Sequence, residues 1–188
     1  MAKFFPRIED QHRDFILRQK MFFTASAAAG ARVNLSPKGL DTLRVIGPNT
    51  VFYLDYTGSG NETAAHLLAD GRLTLMFCAF EGAPMILRLF GHGRAIQRDE
   101  AEYRELLAAH FGGEAPAGAR QMILQTVDLV QTACGFGVPL MDYLADRPTM
   151  PRLMETKGEA ALVDYRALKN HLSLDGLPTG LLEGQLAE

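Results

Sequence analysis

Short runs of apolar and β-branched residues, separated by turn-forming residues, follow one another along the chain up to about residue 132. The clearest run is 50–55, which follows the turn signal Gly47-Pro48-Asn49. Such runs, at short spacing and without helices alternating between them, favour an antiparallel sheet over a parallel one. The predicted strands are 21–26, 32–36, 42–46, 50–55, 72–80, 85–96 and 122–132.

Apolar residues at helical spacing predict four helices, which are 8–20, 63–69, 99–110 and 150–170. The order of elements indicates a mainly β fold with flanking helices (β+α), in which an antiparallel sheet closes into a barrel. The chain of 188 residues suits a single domain. We expect one domain over 1–188, with the barrel core at about 21–140 and a C-terminal helical region at about 150–172.

Composition and charge exclude several classes of function, whereas they add little to the prediction of the fold. A formal net charge of −3 without a basic run argues against nucleic-acid binding. The chain begins without the long apolar core of a signal peptide, and no apolar stretch reaches membrane-spanning length. We therefore expect a cytoplasmic protein without membrane contact. Two cysteines, Cys78 and Cys134, are too few for a disulfide scaffold and are interpreted as buried thiols. The five histidines show no metal-binding spacing, so no metal site is predicted.

Two segments have the chemistry of a phosphate site. Residues 33–39 (VNLSPKG) read as a strand that runs into a turn carrying Lys38, and 57–63 (TGSGNET) read as a Gly-rich loop that opens a short helix. The free amides and partial positive charge of a helix N-terminus bind anions. Ser59, Asn61 and Thr63 could add side-chain donors, whereas the carboxylate of Glu62 would have to point away. The alternative is that Asn61 only caps the helix and Lys38 is a solvated turn residue.

These segments, taken together, resemble the pyridoxamine 5′-phosphate oxidase-like, FMN-binding split-barrel family. The resemblance rests on 22–26 (FFTAS), 33–39, 52–63 (FYLDYTGSGNET) and His66, in this order and spacing. Residues 76–80 and 87–91 look like the next two barrel strands, and 134–139 (CGFGVP) is similar to an oxidase-related subgroup. The resemblance covers 21–96 best.

The resemblance implies a six-stranded antiparallel split β-barrel that forms a homodimer, with FMN in clefts at the interface and a small-molecule substrate. Strand 33–38 would run under the flavin with Lys38 near the phosphate, and Arg88 could supply further charge. The cofactor-binding residues it implies are Val33, Asn34, Leu35, Ser36, Pro37, Lys38, Tyr53, Leu54, Asn61, Glu62, Thr63 and Arg88.

The sequence also departs from the true oxidase, which has consecutive basic residues where Glu62 and Thr63 stand and a cofactor-contacting tryptophan that this chain lacks. We therefore predict an FMN-dependent oxidoreductase whose substrate is not pyridoxamine phosphate, with no catalytic side chain identified. The alternatives are a non-catalytic protein that binds flavin, the deazaflavin F420 or haem, and a domain that has lost its cofactor. Haem binding would require an accessible histidine, and His66 and His92 are the candidates. A histidine in the position of His66 ordinarily packs against the neighbouring strand.

Overall fold

A computed structural model describes residues 2–181, within which eight strands and four helices form. The strands are β1 (Lys3–Phe5), β2 (Phe22–Ser26), β3 (Asn34–Lys38), β4 (Leu43–Gly47), β5 (Thr50–Tyr56), β6 (Arg72–Cys78), β7 (Ile86–Gln97) and β8 (Ala119–Ala133). The helices are α1 (Asp10–Arg18), α2 (Glu62–Ala69), α3 (Ala101–His110) and α4 (Thr149–Lys169). No helix in this range is both long and apolar enough to cross a bilayer.

All eight strands belong to one antiparallel sheet. Its order is β3-β2-β6-β7-β8-β5-β4, and β1 pairs with β8. Three strands separate β2 from β5 in the sheet order, yet the Phe22 ring on β2 lies only 5.4 Å from the Tyr53 ring on β5. This short distance shows that the sheet curls. Side chains rather than a strand ladder therefore close the barrel, which confirms the predicted antiparallel split barrel. The sheet has eight strands instead of six, and the three-residue β1 was not predicted because it is too short to show a pattern.

Two apolar clusters form the core on the two faces of the sheet. Val51 and Tyr53 of β5 belong to the cluster inside the barrel, and Phe52 and Leu54 belong to a cluster against α3. Because successive residues of a strand point to opposite faces, a strand buried on both faces reads as a continuous apolar run. Burial of each large side chain stabilises the fold by about 1.5–3 kcal/mol. This explains why β5 gave the clearest strand signal.

Several boundaries differ from the prediction. β3 begins at Asn34 and continues to Lys38, so Lys38 lies in the strand and not in a turn. The turn follows at Leu40 and Asp41, whose φ values are 60° and 52°. α4 kinks at Gly158, where a φ of 72° and a ψ of 161° interrupt the helical backbone. A positive φ of this kind is readily adopted only by glycine.

A long exposed segment connects β8 to α4, and we call residues 136–148 the outer segment. Its apolar side chains face solvent, with Leu140 exposed by 77% and Leu144 by 91%. Two hydrogen bonds tie it to the end of β6, one from the Met141 amide to the Phe80 carbonyl (2.9 Å) and one from the Tyr143 amide to Glu81 Oε1 (3.1 Å). The outer segment therefore contributes little to the core of its own chain.

Candidate functional site

A cleft of about 540 Å³ opens where β3, the end of β5 and the start of α2 meet. The alternation of β3 determines which of its side chains reach this cleft. Asn34, Ser36 and Lys38 are half-buried on the cleft side, while Leu35 is exposed on the other side. The side-chain amide of Asn34 donates to Thr63 Oγ1 on α2 (3.0 Å), and Ser36 Oγ donates to Asn34 Oδ1 (3.0 Å). These bonds fix β3 against the first turn of α2.

The first turn of α2 forms one end of the cleft. The first four backbone N–H groups of a helix have no acceptor within the helix, and they carry partial positive charge. The Glu62 carboxylate accepts from the Leu174 amide at 3.0 Å and 3.1 Å, and both residues line the cleft. Gly60 and Thr63 line the cleft beside these amides. The start of α2 therefore presents free amides, a hydroxyl and one hydrogen-bonded carboxylate to this end of the cleft.

Beneath the cleft lies a buried carboxylate that binds two cations. Asp55 accepts from Lys38 Nζ through Oδ1 at 2.7 Å, and from Arg120 Nε through Oδ2 at 2.8 Å. The Gln121 side chain donates a third bond to Oδ2 at 2.9 Å. Burial opposes ionisation of Asp55, but Arg120 and Lys38 outweigh it and hold the pKa of this carboxyl well below its usual value. Two cations share one carboxylate, so the trio has a net charge of +1.

Arg120 was not predicted as a site residue, yet it connects the floor of the cleft to its loop. Its Nη1 donates to the Gly60 carbonyl (2.8 Å) and to Asn170 Oδ1 (2.9 Å). Among residues 2–181, Nη2 of Arg120 has no hydrogen-bond acceptor, although the side chain is only 4% exposed and lines the cleft. A guanidinium donor is thus available to a bound anion.

The C-terminal end of α4 holds the loop 57–61 in place. Asn170 Nδ2 donates to the Gly58 carbonyl at 3.0 Å, and its carbonyl accepts from Asn61 Nδ2 at 3.3 Å. Asn61 Oδ1 in turn accepts from Gln121 at 2.8 Å. The Asn61 side chain is therefore used inside the protein and makes no capping bond to α2, whose N-cap position it occupies. The predicted role of Asn61 as a side-chain donor to phosphate does not match this arrangement.

His66 lies behind β3 and is 1% exposed. Its Nδ1 lies 3.1 Å from Ser26 Oγ, which also accepts from Asn34 at 3.3 Å. His66 Nε2 is buried without a partner among the described residues. This position agrees with the predicted packing of His66 against the neighbouring strand. It does not agree with His66 as an accessible axial ligand of haem. His92, by contrast, is exposed on β7 and lies 3.0 Å from Asp128 Oδ2.

The structure brings about half of the predicted site residues to the cleft. Those that line it are Asn34, Ser36, Pro37, Lys38, Leu54, Glu62 and Thr63. Those that do not line it are Val33, Leu35, Tyr53, Asn61 and Arg88.

The reasons for these absences are geometric. Val33 precedes β3 and is 75% exposed. Tyr53 points into the barrel core, where burial raises the pKa of its hydroxyl. Arg88 lies on β7 between Met76 and Gln131 and cannot replace the missing charge at the cleft. Arg120 supplies that charge instead. The sequence alone does not mark a buried strand arginine as a site residue, because its role depends on a carboxylate partner that the fold brings to it.

The predicted pair of buried thiols is half correct. Cys78 is buried, and burial raises the pKa of its thiol, whereas Cys134 is exposed just after β8. Across residues 2–181, no three His, Cys, Asp or Glu side chains are grouped so that they could hold a metal ion.

Comparison with known proteins now identifies the family. A family model described as pyridoxamine 5′-phosphate oxidase matches residues 8–134, which is more than half of the chain. The chain belongs to the pyridoxamine 5′-phosphate oxidase family. A relative from Aspergillus flavus, the pyridoxamine 5′-phosphate oxidase family protein ustO, is 39% identical over 194 residues, which cover 95% of this chain and 78% of that protein.

Solved structures agree with this assignment at the level of fold. HupZ of Group A Streptococcus superimposes with a TM-score of 0.52 at 19% identity, covering 65% of this chain and 91% of that one. A candidate pyridoxamine 5′-phosphate oxidase from Lactobacillus delbrueckii gives a TM-score of 0.52 at 12% identity, with coverages of 67% and 94%. The pyridoxamine 5′-phosphate oxidase model ends at residue 134, so α4 and Asn170 lie outside the matched region.

Proposed function

We propose that this protein is an FMN-dependent oxidoreductase that binds the flavin phosphate in the cleft. The observation that carries the proposal is the shared carboxylate. Lys38 and Arg120 both contact Asp55 and both line the cleft, so this trio brings one net positive charge to it. Excess charge, free helix amides and the hydroxyls of Ser59 and Thr63 together make a donor set that suits a phosphate.

Each group would have a separate task when FMN is bound. Lys38 and Arg120 Nη2 would neutralise the phosphate, and Thr63 would donate from the first turn of α2. The backbone of β3 would lie along the ring and orient it. FMN supplies hydride-accepting chemistry, while the protein supplies position and electrostatics. The proposal assigns no general acid or base to a side chain of the cleft, in keeping with this division of labour.

The substrate is proposed to differ from pyridoxamine phosphate. The chain has no tryptophan to contact the cofactor, and Glu62 and Thr63 stand where consecutive basic residues are expected. Glu62 is engaged by the Leu174 amide and adds negative charge at the rim. With the flavin phosphate already at the start of α2, this carboxylate would disfavour a second phosphate beside it.

We also propose a homodimer with the cleft near the interface, in the cytoplasm. Val33 and Leu35 are 75% and 64% exposed at the edge strand β3, and the outer segment exposes Leu140 and Leu144. Apolar side chains grouped on a surface are typical of protein–protein contacts. Light scattering on an eluting gel-filtration peak tests this, and a monomer at micromolar concentration would contradict the placement of the cleft at an interface.

The first experiment is the visible absorption spectrum of the freshly purified protein, with mass analysis of the compound that heat releases. A two-band yellow spectrum and released FMN support the proposal. A sharp Soret band would indicate bound haem instead of flavin. His92 would then be the next residue to substitute, because His66 is buried. A released deazaflavin would point to F420, and a colourless protein that also fails to bind added FMN would contradict the proposal.

A double variant tests the proposed phosphate contacts. Lys38→Ala with Thr63→Ala removes a charge and a hydroxyl, and we expect FMN affinity to fall by at least about a hundredfold, since charge-assisted hydrogen bonds contribute about 1.5–3 kcal/mol each. The matched control is Lys169→Ala with Thr156→Ala, at exposed positions of α4. Flavin affinity that is equal in both double variants would show that the phosphate does not bind at α2.

A further inference from the structure

A second cavity of about 660 Å³ lies beside the cleft, and we call it the side chamber. Pro37, Lys38, Gly58 and Ser59 line both cavities, so the two cavities adjoin along the end of β3 and the loop 57–61. The volume is within the range of about 300–1,000 Å³ that is usual for small-molecule sites. A molecule in the side chamber would therefore lie next to a cofactor held in the cleft.

The inner surface of the side chamber is apolar. Met154 and Leu162 of α4 are buried at 6% and 1% exposure and form its floor, while Met150 and Leu153 are more exposed and form its wall. The kink at Gly158 places these four residues on two helical segments that meet at an angle. Apolar surface of this kind favours an aromatic or aliphatic body over a sugar or a nucleotide.

The charged side chains around the side chamber are unbalanced. Lys20, Arg147 and Lys157 line it together with one carboxylate, Asp146. Within residues 2–181, none of these three cations forms an ion pair. Lys38, the fourth cation of the lining, is already bound to Asp55. The mouth of the side chamber therefore has three cations to one carboxylate, and its net charge is positive.

Two further features favour an anion at this mouth. The ammonium groups of Lys20 and Lys157 lie 5.2 Å and 4.6 Å from the ring centroids of Tyr143 and Tyr165, which holds both cations at the lining. The first turn of α4, at Thr149, also lines the side chamber, and the positive end of its dipole adds to the same field.

We propose that the side chamber binds an organic carboxylate with an aromatic or aliphatic body, and that this is the substrate class of the oxidoreductase. The apolar body would lie over Met154 and Leu162, and the carboxylate would face Arg147, Lys157 and Lys20. The assignment as substrate rests on the proposed function, whereas the binding itself depends only on the side chamber.

The test is isothermal titration of the full-length protein with cinnamate and with cinnamamide, its neutral isostere. We expect cinnamate to bind at least about tenfold more tightly, because only the acid interacts with the three cations. Lys157→Gln and Arg147→Gln should each weaken cinnamate binding by about fivefold. Arg152→Gln is the control, since Arg152 is an exposed α4 cation outside the lining. Equal affinity for acid and amide, or an equal effect of Arg152→Gln, would overturn the proposal.

The apolar floor is tested in the same way. Met154→Ser should weaken the binding of cinnamate and cinnamamide alike, whereas Leu168→Ser, at a 68% exposed α4 position outside the lining, should change neither. Because Met154→Ser could destabilise the fold, Leu153→Ser in the wall is the second variant, and it should weaken both ligands without changing the circular dichroism spectrum. Unchanged binding in Leu153→Ser would overturn the apolar part of the proposal.

Two measurements separate failure of this inference from failure of the flavin proposal. Thr63→Ala, at a residue that lines the cleft and not the side chamber, should weaken FMN binding and keep cinnamate binding. A wild-type protein that binds FMN but no cinnamate would reject the side chamber alone, and one that binds cinnamate but no FMN would reject the flavin alone. If Leu153→Ser converts a dimer into monomers, a second copy of the chain occupies the side chamber and the proposal is wrong.

Discussion

The two sides of the loop 57–61 are built in opposite ways. On the inner side, Asp55, Arg120, Asn61 and Asn170 are all buried, and hydrogen bonds join them into one network. On the outer side, the wall of the side chamber and the outer segment expose apolar and cationic side chains that have few contacts within the chain. The comparison teaches that the inner side fixes the loop geometry, while the outer side is left free to contact a ligand or a second copy.

The largest expected effect is at Asp55. Asp55→Asn leaves Lys38 and Arg120 without their shared counterion, and we expect the free energy of unfolding to fall by about 3–5 kcal/mol, as when one partner of a buried ion pair is removed. Urea denaturation measures this loss. Asp128→Asn is the matched control, because the His92–Asp128 pair is exposed and should contribute about 1 kcal/mol or less. Similar losses for both variants would mean that the buried network around Asp55 stabilises the fold no more than an exposed ion pair does.

The same carboxylate makes stability depend on pH. The pKa of Asp55 is lowered in the folded protein, so its contribution is fully present above the ordinary Asp pKa of about 3.9 and is lost as the pH falls below that value. We expect the stability difference between wild type and Asp55→Asn to be constant at neutral pH and to shrink below about pH 4. Urea titrations over an acid series check this. A difference that instead shrank near neutral pH would place another titrating group in the network.

Asn170 should give an intermediate effect. Asn170→Ala removes a partly buried bond to the Gly58 carbonyl and a buried one from Arg120, and we expect a loss of about 1–3 kcal/mol together with weaker FMN binding. Lys169→Ala, one residue earlier and exposed, is the control. Thermal unfolding and flavin titration are the measurements. Loss of stability with unchanged flavin affinity would show that α4 supports the fold without positioning the loop.

The smallest structural effect is expected at the two thiols. Cys134 is exposed and should react with a maleimide in the native protein, while Cys78 should react only after unfolding. Mass analysis before and after addition of denaturant counts the labels. Cys134→Ser should abolish native labelling without changing stability by more than about 0.5 kcal/mol. Native labelling of Cys78 would show that the end of β6 opens.

Much of the fold could be predicted because its signals are local. The apolar run of β5, the turn signal before it and the Gly-rich loop before α2 each depend on neighbouring residues, and the structure places all three as expected. The boundary at Lys38 was missed because a proline followed by lysine and glycine is typical of a turn, whereas pairing with β2 extends the strand through both residues. Tertiary pairing thus overrode a local turn preference.

The candidate site was only partly predictable for the same reason. Lys38, Ser36 and Thr63 lie in motifs that the sequence displays directly. Arg120 and Asn170 lie 65 and 109 residues from Asp55 and Asn61, the residues that they contact. No spacing rule joins positions so far apart.

The sequence by itself determined most of the strands, the antiparallel sheet and the family, because these depend on side-chain type and close spacing. Only the tertiary structure decided that Lys38 shares a buried carboxylate with Arg120, that Arg88 stays away from the cleft and that α4 lines a side chamber. The physical reason is that the curl of the sheet brings β3 to β5, and a charge acquires its role from the charges that the fold places beside it.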